Sequence, residues 1–187
     1  VRDVGTIDWY AFFPWENHRE EVPINIILRI RKNLLEWEEK VAVTKSMREI
    51  IRARIDVNFP EDPKEWNEEL VLQRYELLWE AGLIDEAHRD QKKKSEPSIP
   101  GAPMAHDHRR ILATAMARLR AKIKYRPVVF ELLPTHFTLL QLQETVEALA
   151  GLRLHKQNFR RLVQKQGLVE ETPVQTQQGR GRPAKLF

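Results

Sequence analysis

The chain has 187 residues, of which 42% are apolar and 31% charged, enough for one ordinary domain or two small ones with a buried core. It contains no cysteine, which excludes disulfides, thiolate metal sites, cysteine nucleophiles and iron–sulfur clusters, and its 7 glycines against 11 prolines disfavour glycine-rich phosphate loops. The net charge of +4 is unevenly placed: residues 1–105 carry 16 basic and 21 acidic side chains, whereas residues 106–187 carry 15 basic and 6 acidic ones, a balance that points the second half toward a polyanion or reflects solvated faces alone.

Trp9, Tyr10, Phe12, Phe13 and Trp15 place five aromatics in seven positions and need an apolar partner surface. No companion strand lies nearby, and a lone strand cannot bury two faces, so the segment reads as the edge of something larger, or the chain as a fragment. Residues 24–57 are apolar at helical spacing (Ile24, Ile27, Leu28, Leu34, Leu35, Trp37, then Met47, Ile50, Ile51, Ile55), with Ser46 placed to cap a second helix and Glu49 at its capping-box position. Asn58 to Pro63 is a turn. A helix is expected over 64–81, ended by Gly82, with a short continuation through Leu83, Ile84 and Ala87. The carboxylates Glu61, Asp62, Glu65, Glu68 and Glu69 suit the start of that helix, where negative charge favours the macrodipole, better than acid–base chemistry.

Residues 21–90 thus form a helical region, and the Pro-rich, Lys-containing stretch 91–105 a linker. A lead-in helix over 106–124 carries Ile111, Leu112, Ala115, Met116, Leu119 and Ile123 on one side and six basic residues on the other, and Arg126-Pro127 ends it. His106 and His108 beside Asp107 raise the question of a metal, but rings two residues apart point in different directions, so no metal site is expected and Asp107 reads as a cap.

The last fifty-odd residues carry the functional pattern. Thr138 is a good N-cap for a helix with Leu139, Leu142, Val146 and Leu149 inward, and Gly151 ends it. Leu152-Arg153-Leu154 leads to a second helix near His155–Gln166, with Phe159, Leu162 and Val163 expected inward and Lys156, Gln157, Arg160, Arg161 and Gln164 outward. Helix, tight turn with glycine, helix is the helix-turn-helix arrangement, whose second helix lies in the major groove. Arginine and lysine donate there to guanine edges or phosphates, and glutamine bridges adenine N6 and N7. A plain amphipathic helix pair with a cationic face fits the same spacing.

The residues beyond the second helix favour the DNA-binding arrangement. Gly167–Thr172 reads as a strand, 173–181 as a polar turn, and 183–187 as a returning strand carrying Lys185: a hairpin wing. Arg180-Gly181-Arg182-Pro183 resembles the core of AT-hook segments, which lie along narrow A·T-rich minor grooves; arginines that touch only phosphates are the alternative.

The run Ala105-His106-Asp107-His108-Arg109-Arg110-Ile111-Leu112, then Tyr125-Arg126-Pro127-Val128, Leu132-Leu133-Pro134, Phe137-Thr138-Leu139, Leu142-Gln143, Asn158-Phe159-Arg160-Arg161 and Gly181-Arg182-Pro183-Ala184 resembles the C-terminal half of Nudix-related transcriptional regulators of NAD metabolism. Phe13-Pro14-Trp15-Glu16 and Arg74–Leu83 are similar to an alphaproteobacterial branch associated with de novo NAD synthesis genes. The resemblance implies a mainly α protein: residues 1–20 as the end of a largely absent Nudix-like sheet domain, the helical region 21–90, the linker 91–105, and residues 106–187 as the lead-in helix and a winged helix-turn-helix with a small β-hairpin wing. It implies a homodimeric repressor of NAD biosynthesis genes on a palindromic operator in double-stranded DNA, answering an adenine-nucleotide-type effector. Lys156, Gln157, Asn158, Arg160, Arg161 and Gln164 would face the major groove, with the role of Asn158 open, and Arg180, Arg182 and Lys185 would serve the wing.

A Nudix hydrolase needs carboxylates in an R-E-U-x-E-E-x-G-U box (U aliphatic) to hold a divalent metal on a diphosphate. The nearest echo, Arg48-Glu49-Ile50, would put the metal-binding pair on Arg52 and Ala53, so no enzyme activity, catalytic residue, metal or cofactor is expected. The rivals are a degenerate Nudix-type nucleotide hydrolase with a nucleic-acid-binding module and a protein–protein adaptor on a winged scaffold. No run approaches the ~18 apolar residues of a spanning helix and no signal peptide opens the chain, so a cytoplasmic location without membrane partners is expected.

Overall fold

The computed structural model describes residues 7–19, 21, 23–90, 99–125, 128–173 and 185–187. Among these residues the fold is mainly α-helical: α1 (Ile24–Val41), α2 (Lys45–Asn58), α3 (Val71–Glu80), α4 (Asp85–Asp90), α5 (His108–Tyr125), α6 (Leu139–Ala150) and α7 (Lys156–Lys165), with short 3-10 turns between them. The chain divides into two compact units, Val1–Arg118 and Leu119–Phe187.

In the first unit α1 buries Ile27, Ile30, Leu34 and, on the same stripe, the polar Arg31 and Glu38, and α2 buries Ile51 and Ile55. Thr44, not Ser46, caps α2: its extended backbone aims its hydroxyl at the Met47 N–H, 3.2 Å away, so the helix starts earlier than expected and Glu49 faces Lys45 instead. The helix expected over 64–81 begins only at Val71. Asp62 and Asn67 take the Lys64 and Glu69 N–H groups on their side chains, holding the chain in turns that compete with helix. Gly82, at φ +68°, closes α3, with its own N–H on Trp79 O and the Leu83 N–H on Leu78 O.

The aromatic N-terminal segment is not a strand. It folds as two 3-10 turns, Trp9–Ala11 and Pro14–Glu16, the first capped by Asp8, and Tyr10, Phe13 and Trp15 enter the helical core with Ile30, Leu34, Tyr75 and Leu78. The apolar partner surface that these rings require is the helices of the same unit. Residues 99–105 are held rather than free: Ile99 is buried, the Ala102 N–H reaches Ala11 O at 2.9 Å, and Arg89 donates to Met104 O and His106 O.

In the second unit Val129, Phe137, Leu139, Leu142, Phe159 and Val163 form the core, with Phe130, Leu133, Leu149, Leu154 and Phe187 packed against it. The segment after α5 is a 3-10 turn, Val128–Leu132. Phe137 and Phe187 exchange both backbone hydrogen bonds, and the Thr172 N–H and hydroxyl both donate to Leu186 O. Among the described residues no β-strand forms, so Gly167–Thr172 is not the strand expected of it. Residues 174–184, where the tip of the expected wing falls, lie outside the described residues.

Candidate nucleic-acid interface

The helix pair α6–α7 is built from its caps inward. Thr138 and Gln141 form a reciprocal capping box: the Thr138 hydroxyl accepts the Gln141 N–H at 3.2 Å, and Gln141 Oε1 accepts the Thr138 N–H at 2.8 Å. Gly151, at φ +74°, turns the chain out of α6, and its N–H returns to Glu147 O. The left-handed backbone there suits glycine because any Cβ would strain it.

The connection Leu152–Leu154 is fixed by two buried polar side chains. Glu147 Oε1 accepts the Leu154 N–H and a Gln143 amide hydrogen, each at 2.9 Å, while Gln143 Nε2 also donates to Leu154 O at 3.0 Å. Arg120, 2% exposed, donates to Leu149 O at 3.1 Å, satisfying a carbonyl of the last turn of α6. Sequence reasoning missed these three residues. The signal was available for two of them: Gln143 and Glu147 fall on the same stripe as Leu139, Leu142 and Val146, an inward place where a polar side chain must have partners.

On α7, Phe159 and Val163 anchor the helix to the core. Leu162, expected inward with them, is 52% exposed: one residue before Val163 it is rotated by about a quarter turn from the Phe159–Val163 stripe, and the core is closed without it. Lys156, Gln157, Asn158, Arg160, Arg161 and Gln164 are all exposed, and Lys165 extends the same polar surface. Among the described residues no hydrogen bond or ion pair engages those six side chains. The helix ends in a Schellman arrangement, with the Gly167 N–H on Gln164 O and the Leu168 N–H on Val163 O, Gly167 standing at φ +62°.

Of the wing residues, Arg180 and Arg182 lie outside the described residues. Lys185 is exposed and pairs with Glu171 at 2.6 Å. That pair is open to solvent, worth at most about 1 kcal/mol, and a stronger anion would displace it.

Elsewhere, the His106 and His108 rings do not point apart. His106 has φ +51°, which swings its ring to 5.8 Å from that of His108. Among the described residues no group of three His, Asp or Glu side chains could hold a metal, and no helix is long and apolar enough to cross a membrane.

Two helices joined by a tight turn on a shared core, the second presenting a cationic and amide-rich surface to solvent, define the helix-turn-helix class of DNA-binding folds. Residues 129–187 match the family of NrtR DNA-binding winged helix domains. The chain is 33% identical over 137 residues to the ADPR responsive transcriptional repressor NtrR of Acinetobacter baylyi, a match covering 70% of this chain and 52% of that protein. The chain therefore spans about half the length of that relative. Its C-terminal part is similar to NrtR DNA-binding winged helix domains, in keeping with the resemblance read from residues 105–187.

Proposed function

We propose that this chain is part of a DNA-binding transcriptional regulator, not an enzyme: a repressor of NAD biosynthesis genes that binds a palindromic operator as a homodimer. The observation that carries the reading is the outer face of α7. Three cations and three amides stand exposed there, without intramolecular partners among the described residues, on a helix whose inner face and lead-in turn are pinned by Phe159, Val163, Gln143 and Glu147. A helix so held presents its side chains at fixed positions, which base reading requires.

Lys156, Arg160 and Arg161 donate to phosphates and guanine edges, and Gln157, Asn158 and Gln164 to adenine edges. Residues 106–187 act as the DNA-binding portion. Residues 167–187 form the wing, supported by the Thr172–Leu186 and Phe137–Phe187 pairings on either side of its expected tip, with Arg180 and Arg182 in an A·T-rich minor groove and Lys185 on the backbone. The relative's response to ADPR supports an adenine-nucleotide-type effector, which would alter the spacing of the two recognition helices in the dimer.

The test is a mobility shift with the whole chain on DNA upstream of its own gene and of NAD synthesis genes, with and without adenine nucleotides. Retardation of these fragments over scrambled DNA, with an affinity falling steeply with salt, is the expected result. Equal affinity for scrambled DNA, or binding indifferent to salt, overturns the reading.

A further inference from the structure

We infer that Leu162 is a base-reading residue, set beside Asn158 to recognise a thymine through its C5 methyl group in the major groove. The inference rests on the proposed DNA-binding function and adds a specificity determinant to it. Leu162 is 52% exposed on a helix that buries Phe159 and Val163. Residues three and four apart share a helix face, so Asn158, Leu162 and Lys165 form one stripe, with Arg161 adjoining it, and all four are exposed.

A branched apolar side chain amid cations gains nothing from water, and it needs an apolar counterpart that a cationic surface can approach. The major groove provides one, because thymine alone among the bases carries a methyl group there, within a duplex whose phosphates attract the adjoining Arg161 and Lys165. An apolar protein surface would have to desolvate those two charges to reach Leu162, which makes DNA the better-matched occupant.

Spacing sets the register. Four helical residues rise ~6 Å, against ~3.4 Å per base step, so the thymine lies within about two base pairs of the adenine that Asn158 engages.

The experiment uses the whole chain. A duplex is first selected from a randomised pool, and each thymidine in it is then replaced singly by deoxyuridine, which removes the methyl group and leaves every hydrogen-bonding edge in place. One replacement per half-site is expected to weaken wild-type binding about fourfold, the worth of one buried methyl. Leu162→Ala should bind the thymidine and deoxyuridine duplexes alike, at the weakened level, while Asn158→Ala keeps the methyl preference and loses discrimination at the neighbouring adenine. Circular dichroism and thermal melting of Leu162→Ala should match wild type, since an exposed side chain is removed. The inference is overturned if no deoxyuridine replacement weakens the wild type, if Leu162→Ala retains the methyl preference, or if Leu162→Ala changes only the sedimentation of the protein, which would make Leu162 a contact between copies. Failure of the pool to enrich any duplex would instead remove the DNA-binding reading itself.

Discussion

Glu147 holds the peptide N–H of Leu154 at 2.9 Å, across the turn that separates the two helices of the C-terminal unit. Because Gln143 bridges the same carboxylate and the Leu154 carbonyl, both polar edges of one residue in the turn are satisfied by α6. The orientation of α7 is thereby set by side chains that never face its outer surface.

Removing that carboxylate should loosen the turn before it unfolds the unit. Glu147→Ala leaves the Leu154 N–H and one Gln143 hydrogen without an acceptor, a loss of about 1.5–3 kcal/mol, whereas Glu147→Gln still offers an amide oxygen. Hydrogen exchange at the Leu154 amide should accelerate at least about tenfold in the alanine variant and stay close to wild type in the glutamine variant. Unchanged protection in Glu147→Ala would show that the turn is held by packing alone.

In the first unit the fully buried Arg74 meets Glu16 through two hydrogen bonds of 2.6 and 3.0 Å, and its guanidinium lies 3.9 Å from the Trp66 ring centroid. Removing one partner strips a buried charge of its ion pair, so Glu16→Leu should cost about 3–5 kcal/mol, and Arg74→Met alone a similar amount. The double variant Glu16→Leu/Arg74→Met should recover most of that loss. Thermal melting of the three variants measures the coupling, and simple additivity would show that the pair acts through two independent contacts.

The elements governed by local chemistry were legible in the sequence. Thr138, Gly151 and Gly82 announce the ends of α6 and α3 because a cap or a left-handed residue is decided within a few positions. The outward place of Gln157, Arg161 and Gln164 on α7 was legible for the same reason, since helical spacing alone turns them away from Phe159 and Val163. Leu162 was misread because apolar character says what a side chain prefers, not whether the core has room for it. The aromatic segment 9–16 was misread because its partner surface comes from residues such as Tyr75, far along the chain. No local pattern encodes that. The Asn67 turn delayed α3 through a side chain to backbone hydrogen bond that outweighs propensity over a few residues.

Gly101 stands at φ +136° with its α-carbon against the Arg109 guanidinium and Phe12 O. A Cβ there would lie 2.5 Å from Arg109 Nη2 and 2.8 Å from the Phe12 carbonyl oxygen. The guanidinium cannot swing aside without cost, since it bonds that same carbonyl and pairs with the buried Glu86 at 3.1 Å. Gly101→Ala is therefore expected to destabilise the protein by more than about 1 kcal/mol, read as a lower melting temperature, while the exposed Ala102→Gly changes little. An unchanged melt for Gly101→Ala would mean that the 99–105 segment rearranges freely.

Alkaline pH should act through Tyr75. Its side chain is almost wholly buried, and burial pushes the phenol up from its ordinary value of 10.0 to about 12, with the Glu86 carboxylate acting in the same direction. The folded state thus favours the neutral phenol, so the associated stability is complete below pH 10.0 and is lost as the pH climbs toward 12. Ultraviolet absorbance should resolve one tyrosinate component near pH 12 that is missing from Tyr75→Phe. Ionisation of that component at the ordinary value would place the hydroxyl in water.

The outer face of α7 makes separable predictions for its cations and its amides. A side chain that touches phosphate contributes the same increment on every sequence, and its loss reduces the slope of log affinity against log salt by about 0.9. One that pairs with a base edge changes which sequence is preferred, by about 1–3 kcal/mol at a single position. Lys156, at the first turn of α7, is placed for the backbone, whereas Gln157 and Arg161 project from the middle of the surface opposite Phe159 and Val163. Lys156→Ala should therefore flatten the salt dependence with base preference intact, and Gln157→Ala and Arg161→Ala should each relax selection at one position per half-site. Arg182→Ala should weaken binding most where the flanks are A·T-rich. Competition binding on single-base variants of a selected duplex, repeated at three salt concentrations, distinguishes these classes. If Arg161→Ala lowers affinity equally on all variants, α7 lies along the backbone and the base-reading surface must be sought elsewhere.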